Sequence, residues 1–359
     1  MRSILLNPGP VSISEAVRKA AVSTDLCHRE PEFFALQSQL RDSLLKIYDC
    51  DPSQWSTVLL GGSGTSALEA MISSLLPRDA RLLVLENGVY GERISKIAEI
   101  HRIEHQLLHH GWSEKIDFEQ VEELLESGNF SHLAAVHHET TTGRLNDVSM
   151  LAGLCEKHDV SLLLDSVSSF GAEKIPVKSP ALVACAATAN KCLHGIPGLC
   201  FVLARRGTIE KAVEPPRSLY LHLPLWAEHQ ERDSTPFTPP VNSLLALEQA
   251  MSELDQQGGW QARHARYHKL AARVARALGK YGIDGMLDPA ESSCVLRSYR
   301  MPADMSYGEI HDGLKQRGFV IYAGQGKLQE EMFRISTMGD ITDYDMERLL
   351  AALHAVFAS

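Results

Sequence analysis

Strand-length runs without a polar face alternate with helix-period stretches as far as Pro239, and this rhythm limits the chain to few folds. The runs 57–60, 81–85, 133–136, 162–164 and 199–203 are almost continuously apolar. A strand of that kind must be covered on both sides, which points to a buried, mainly parallel sheet. Helical periodicity at 66–76 and 92–100 supplies covering layers. The expected class is therefore α/β, a sheet between two helical layers, with ligands at the carboxyl ends of the strands. After Pro239-Pro240 the rhythm changes. Long helical stretches at 243–257 and 260–281 are split by Gly258-Gly259. Short strands near 294–296 and 319–322 and a closing helix from Asp343 follow. At the other end, prolines bracket Gly9, so the segment up to Pro10 reads as an arm that continues neither helix nor strand. The chain has 359 residues, and single cores stop growing near ~250–300. Three parts are expected: an arm 1–13, a large domain 14–259 and a smaller C-terminal α+β domain 260–359.

Charge narrows the partners. With 35 basic and 45 acidic residues the net charge is −10, which argues against nucleic acid or an anionic membrane. A hydrophobic content of 44% with 22% charged residues excludes a disordered chain. The cysteines at 27, 50, 155, 185, 192, 200 and 294 form no CxxC pair. Several lie in apolar runs, so they read as reduced core thiols of a cytoplasmic protein, not as disulfides or zinc ligands. The first residues are interrupted at once by Asn7-Pro8-Gly9-Pro10, unlike a secretory leader. No apolar run approaches the ~20 residues of a membrane helix. His101, His105, His109 and His110 have helical spacing without an HExxH pattern. They read as a solvated helical face, and no metal site is expected.

Chemistry concentrates where the apolar runs end. Lys191 follows the small, uncharged run 184–190 and precedes a loop containing Gly195 and Gly198. A buried ammonium group is costly unless paired or neutralised, and a covalent imine neutralises it. Asp165 ends another apolar run, 160–164. A strand-end aspartate with a strand-end lysine suits pyridoxal 5′-phosphate. The lysine holds the aldehyde, and the carboxylate pairs with the protonated pyridine nitrogen to keep the ring an electron sink. Either residue alone reads more simply as a cap or a surface charge; the pair with its flanks does not.

Gly61-Gly62-Ser63-Gly64-Thr65-Ser66-Ala67 follows a strand and opens a helix. Free N–H groups there, with the hydroxyls of Ser63 and Thr65, suit a phosphate. From Gly62 the loop also satisfies G-x-G-x-x-A, and the next strand ends in Glu86, so an NAD-dependent dehydrogenase competes. That alternative gives Asp165 and Lys191 no joint task and sets its fingerprint well inside the chain. Tyr90, between Gly88 and Gly91, is placed to stack on a flat ring, or is a half-buried loop tyrosine. Thr140, in His138-Glu139-Thr140-Thr141-Thr142-Gly143, can bond a cofactor oxygen or serve a turn. Arg334 lies in an apolar stretch and calls for an anion, either a substrate carboxylate or phosphonate or an internal acid.

Over nearly its whole length the chain resembles the class V aminotransferases. The resemblance rests on Pro8-Gly9-Pro10, Gly62-Ser63-Gly64-Thr65, Asn87-Gly88-Val89-Tyr90-Gly91 and Glu139-Thr140-Thr141-Thr142-Gly143. It continues through Asp165-Ser166-Val167-Ser168-Ser169-Phe170-Gly171, Ala189-Asn190-Lys191-Cys192, Arg217-Ser218-Leu219, Phe237-Thr238 and Phe333-Arg334-Ile335. It implies the fold type I architecture of pyridoxal-phosphate aminotransferases, with a large, mainly parallel α/β/α cofactor-binding domain and a smaller α+β one. It also implies that Lys191 carries the cofactor and that Asp165 pairs with its ring nitrogen. By the same resemblance Ser63, Gly64 and Thr65 hold the phosphate, joined by Thr238 across a homodimer interface. Tyr90 stacks on the ring, Thr140 bonds its oxygen, and Arg334 clamps the acid end of the substrate. The triple threonine and Asn190-Lys191-Cys192 are similar to members that move the amine of 2-aminoethylphosphonate to pyruvate, giving phosphonoacetaldehyde and L-alanine. The alanine–glyoxylate and serine–pyruvate sister group shares the skeleton, and a lyase using this cofactor shares the early chemistry. Parts of the stretch 220–236 diverge from both groups.

Overall fold

The computed structural model describes residues 2–358. Ile4–Leu5 forms β1. The central sheet contains β2 (Trp55–Gly61), β3 (Arg81–Glu86), β4 (Glu104–His109) and β5 (His132–Val136). A hairpin of β6 (His138–Glu139) and β7 (Arg144–Leu145) follows, and the sheet resumes with β8 (Ser161–Asp165), β9 (Leu182–Thr188) and β10 (Leu199–Arg205). The strand order is β2-β10-β9-β8-β5-β3-β4. β10 is antiparallel to both neighbours, and every other pair is parallel. The carboxyl ends of β2, β3, β5, β8 and β9 therefore share one edge, where the candidate site residues gather.

Composition explains the layering. β5 and β9 are buried at every position. In β9 the small residues Ala184 and Ala186 let the helix Gly64–Leu75 approach on one face, through Ala67 and Met71. Phe33, Phe170 and Phe201 fill the opposite face. Polar caps start several helices: Asp117 accepts from Glu119 N and Gln120 N, and Asp147 from Ser149 N and Met150 N. Capping boxes at Ser306 and Thr342 open Tyr307–Gln316 and Asp343–Phe357.

Beyond the helix Gly259–Gly279 lie β11 (Leu296–Arg300), β12 (Phe319–Val320), β13 (Tyr322–Ala323) and β14 (Met332–Ser336). β14 pairs antiparallel with β11 and β13. β1 pairs parallel with β12, and Ile4 and Leu6 are fully buried in the C-terminal core.

Three sequence expectations change. Residues 4–5 are a strand, because the exposed edge at Phe319–Val320 supplies partners that local sequence does not reveal. The histidines do not form a solvated helical face. His105 and His109 lie on β4, a sheet-edge strand paired, among the described residues, with β3 alone, and His110 is buried. The run 319–322 breaks at Ile321 into two strands serving different sheets. Among the described residues no helix is long and apolar enough to cross a membrane.

Candidate active site

The glycine loop turns directly out of β2. Gly62 has φ +149, and a Cβ there would lie 2.4 Å from Ser66 Oγ. A Cβ on Gly64 would lie 2.5 Å from Val167 Cγ1, so the loop packs on the turn after β8. Ser63 makes no side-chain cap bond to the helix Gly64–Leu75. Among the described residues, the N–H groups of Gly64 and Thr65 donate to no partner. Such a helix start is suited to an anion. Thr65 Oγ1 accepts from Arg93 Nη1 at 3.3 Å, and that guanidinium sits 4.6 Å from the centre of the Tyr90 ring.

Tyr90 lies in the first turn of the helix Val89–Ile100, whose N-cap, Gly88, has no side chain to offer. Its cap comes from elsewhere. The Glu139 carboxylate accepts from Tyr90 N at 3.2 Å and Gly91 N at 3.3 Å, and Thr141 Oγ1 accepts from Val89 N at 3.0 Å. Thr141 Oγ1 also donates to Glu139 Oε1 at 2.6 Å. A Cβ on Gly88 would lie 2.2 Å from Glu139 Cδ, so only glycine admits this arrangement. Glu139 has no exposed surface, and burial pushes its carboxyl up to about 7 despite these donors.

Asp165, 4% exposed, accepts from Val167 N at 3.0 Å. Burial raises its carboxyl to about 6, against the pull of that hydrogen bond and of Arg93 and Lys191. Lys191 lies three residues past β9. Burial lowers its ammonium to about 8, partly offset by Asp165. The Lys191 Nζ donates to Pro8 O. Gly9, with φ +118, passes so close that a Cβ there would lie 2.5 Å from Lys191 Cδ. The turn beyond is held by Arg263 Nη1, which donates to Cys192 O at 2.6 Å.

Arg334, on β14, is 2% exposed. Its Nε donates to Ala323 O at 2.9 Å and its Nη1 to Thr140 O at 2.8 Å, with Gln325 Oε1 at 3.5 Å. The internal acid weighed from sequence is not there: among the described residues Arg334 has no carboxylate within salt-bridge distance. A buried guanidinium served only by neutral oxygens retains its appetite for an anion.

The structure thus brings Ser63, Gly64, Thr65, Tyr90, Thr140, Asp165 and Lys191 to one edge, with Arg334 reaching it through Thr140 O. Thr238 is exposed, in the loop before the helix Val241–Gln256, and among the described residues it makes no hydrogen bond to any of them. Glu86, the acid that a dinucleotide would need, is occupied inside the protein by Ser95 Oγ and by His109 Nδ1 at 3.3 Å. Sequence reasoning missed Arg93, Glu139 and the closeness of Pro8-Gly9 to Lys191. Arg93 falls three residues after Tyr90, a spacing that puts both on one helix face and was the available signal.

A family model described as aminotransferase class-V matches residues 18–328. A 2-aminoethylphosphonate–pyruvate transaminase of Phocaeicola vulgatus is 33% identical over 358 residues, covering 98% of each chain. One from Lactiplantibacillus plantarum is 34% identical, covering 98% of this chain and 96% of the relative. The crystal structure of pyridoxamine–pyruvate aminotransferase from Mesorhizobium loti superposes with TM-score 0.91 at 25% identity, covering 100% of this chain and 93% of that one.

Proposed function

We propose that this chain, which belongs to the class-V aminotransferase family, transfers the amino group of 2-aminoethylphosphonate to pyruvate, giving phosphonoacetaldehyde and L-alanine. Pyridoxal 5′-phosphate is its cofactor, and the residues at the sheet edge fit that group. A primary amine, a buried carboxylate, an uncapped helix start and a tyrosine ring match its aldehyde, pyridine nitrogen, phosphate and flat face. When bound, the cofactor holds the amine covalently and withdraws electrons from the adjacent carbon, making that carbon's hydrogen acidic. Lys191 anchors the cofactor and, once released, its Nζ takes and returns a proton at the amine-bearing carbon as general base and acid. Burial favours this role, because it brings the amine down to about 8 and so nearer its neutral form. Asp165 holds the ring nitrogen's proton through its carboxylate. Ser63, Gly64 and Thr65 hold the phosphate, Tyr90 lies against the ring, and Thr140 hydrogen-bonds the ring oxygen.

Arg334 carries the choice of an acidic substrate: a guanidinium 2% exposed and without a carboxylate partner among the described residues. It binds the phosphonate of the donor and the carboxylate of the acceptor in turn. The enzyme works as a cytoplasmic homodimer in which Thr238 reaches the partner's phosphate loop. Support comes from the exposure of Thr238, and from Leu219 and Tyr220, 71% and 39% exposed beside that loop. The large domain 14–259 and the small domain 260–359 form the units of each subunit, and the arm 1–13 joins its first strand to the small domain's core.

The test is to incubate the holoenzyme separately with 2-aminoethylphosphonate, L-alanine and L-serine, and to record which amine converts the bound cofactor from its aldehyde to its amine form. Rapid conversion by the phosphonate and by alanine, with serine inert, is expected. Conversion by serine with the phosphonate inert would move the enzyme to the serine–pyruvate group. Lys191→Ala should remove both turnover and borohydride-trapped cofactor, and undiminished turnover would overturn the lysine's assignment.

A further inference from the structure

A second cluster of reactive side chains lies outside the cofactor site, where three chain segments meet. Glu173 follows Gly171-Ala172 in the turn beyond β8, His264 lies on the helix Gly259–Gly279, and Cys294 leads into β11. His264 Nδ1 is 3.1 Å from Glu173 Oε2 and 3.5 Å from Cys294 Sγ. All three donor atoms fall within 4.8 Å of one another. We propose that Glu173, His264 and Cys294 bind a divalent transition-metal ion of the zinc class, which cross-links these segments. The proposal does not depend on the transamination reading.

The geometry carries it. Tetrahedral zinc with ordinary bond lengths separates a nitrogen from an oxygen ligand by about 3.4 Å and from a sulfur ligand by about 3.6 Å. The two edges at His264 Nδ1, 3.1 and 3.5 Å, lie close to these values. A fourth oxygen converges independently on the same point: Ala172 O is 2.9 Å from His264 Nδ1 and 3.9 Å from Cys294 Sγ. Glu173 Oε1 is already engaged by Ser293 Oγ at 2.6 Å and Cys294 N at 2.9 Å. Those donors orient the carboxylate and leave Oε2 for an ion, as outer-shell partners do at metal centres. Glu173 and Cys294 are 2% and 3% exposed, whereas the His264 side chain is 41% exposed, so the cluster is closed on the protein side and open to solvent on one flank. One nitrogen, one thiol and two oxygens select zinc or cobalt over magnesium or calcium.

Without metal the same atoms form a hydrogen-bonded pair, with the Nδ1 proton of His264 shared between Glu173 Oε2 and Ala172 O. Metal binding forms bonds to Nδ1 and Sγ. It requires the Nε2–H tautomer of His264, the Nδ1 proton passing to Nε2 of a neutral ring or to solvent from a charged one, and it releases the proton of the Cys294 thiol to solvent.

The test uses holoenzyme freed of metal by a chelator and titrated with cobalt(II), then with zinc. Expected are ligand-field bands at wavelengths beyond the cofactor's absorption, saturating at one cobalt per chain and bleached by zinc. Zinc should raise Tm. His264→Ala, at the solvent-exposed flank, and Cys294→Ser should each weaken zinc binding by more than about tenfold. Cys27→Ser, which removes the exposed thiol, should leave it unchanged. Absence of the bands, or affinity untouched by His264→Ala in a variant with native circular dichroism, overturns the site.

Discussion

Burial more than partnership sets the charges at the carboxyl edge of the sheet. Asp165 is pushed up to about 6 and Lys191 down to about 8, each by desolvation first. The sign for Asp165 follows from proton linkage. Its native carboxyl binds a proton more tightly than the unfolded one, so its share of stability is complete below the ordinary value of 3.8 and is lost as pH rises through about 6. His132, His137 and His138 act oppositely. Burial lowers each to about 4, so their share is present above 6.5 and lost as pH falls towards 4. A difference measurement separates them. The stability of cofactor-free protein minus that of Asp165→Asn should fall between pH 4 and pH 6 and then level off, in denaturant melts. A difference that rises with pH would refute this account of Asp165. Asp165 and Lys191 stood out in sequence because one ends an apolar run and the other follows one, where packing does not explain a charge. Glu139 was read only as part of a threonine turn, since its partners lie near residue 90.

At the scale of elements, the helix Val89–Ile100 shows how a site is assembled from distant pieces. Gly88 leaves its N-terminus uncapped, and Glu139 and Thr141 do the capping from the hairpin that also offers Thr140 O to Arg334. Tyr90, Arg93 and Arg334 are therefore positioned through one buried loop. In Glu139→Gln an amide NH2 group would face backbone donors, a loss of about 1–3 kcal/mol. Cofactor affinity should drop with it, because Tyr90 rides on the first helical turn. Equilibrium dialysis of the cofactor, alongside urea melts, measures both effects. Unchanged cofactor affinity in a destabilised variant would reduce Glu139 to a cap alone. Strands rich in leucine and alanine were legible because both faces are buried. β4 was not, because an edge strand with exposed Glu104 and His109 carries no apolar run.

For the whole molecule, the first strand and the last quarter of the chain form one core. Ile4 and Leu6 are fully buried among Leu270, Ile310, Phe319 and Leu353. Ile4→Ala should cost about 2–5 kcal/mol, measured as a lower denaturant midpoint, although residue 4 looks like a free arm in sequence. The same strand leads into Pro8 and Gly9 against Lys191, so loosening it should also lower turnover. The sequence by itself determined the α/β class, the family, and the position of Asp165 and Lys191 at the ends of apolar runs, because apolar periodicity and the charges that follow it are local properties. Tertiary structure alone decided that Arg334 lacks an acid among the described residues, that Glu139 caps a helix begun near residue 88, and that residues 173, 264 and 294 meet. Each of those depends on distances between segments remote in the chain, which packing of the sheet and the C-terminal core sets and no local pattern encodes.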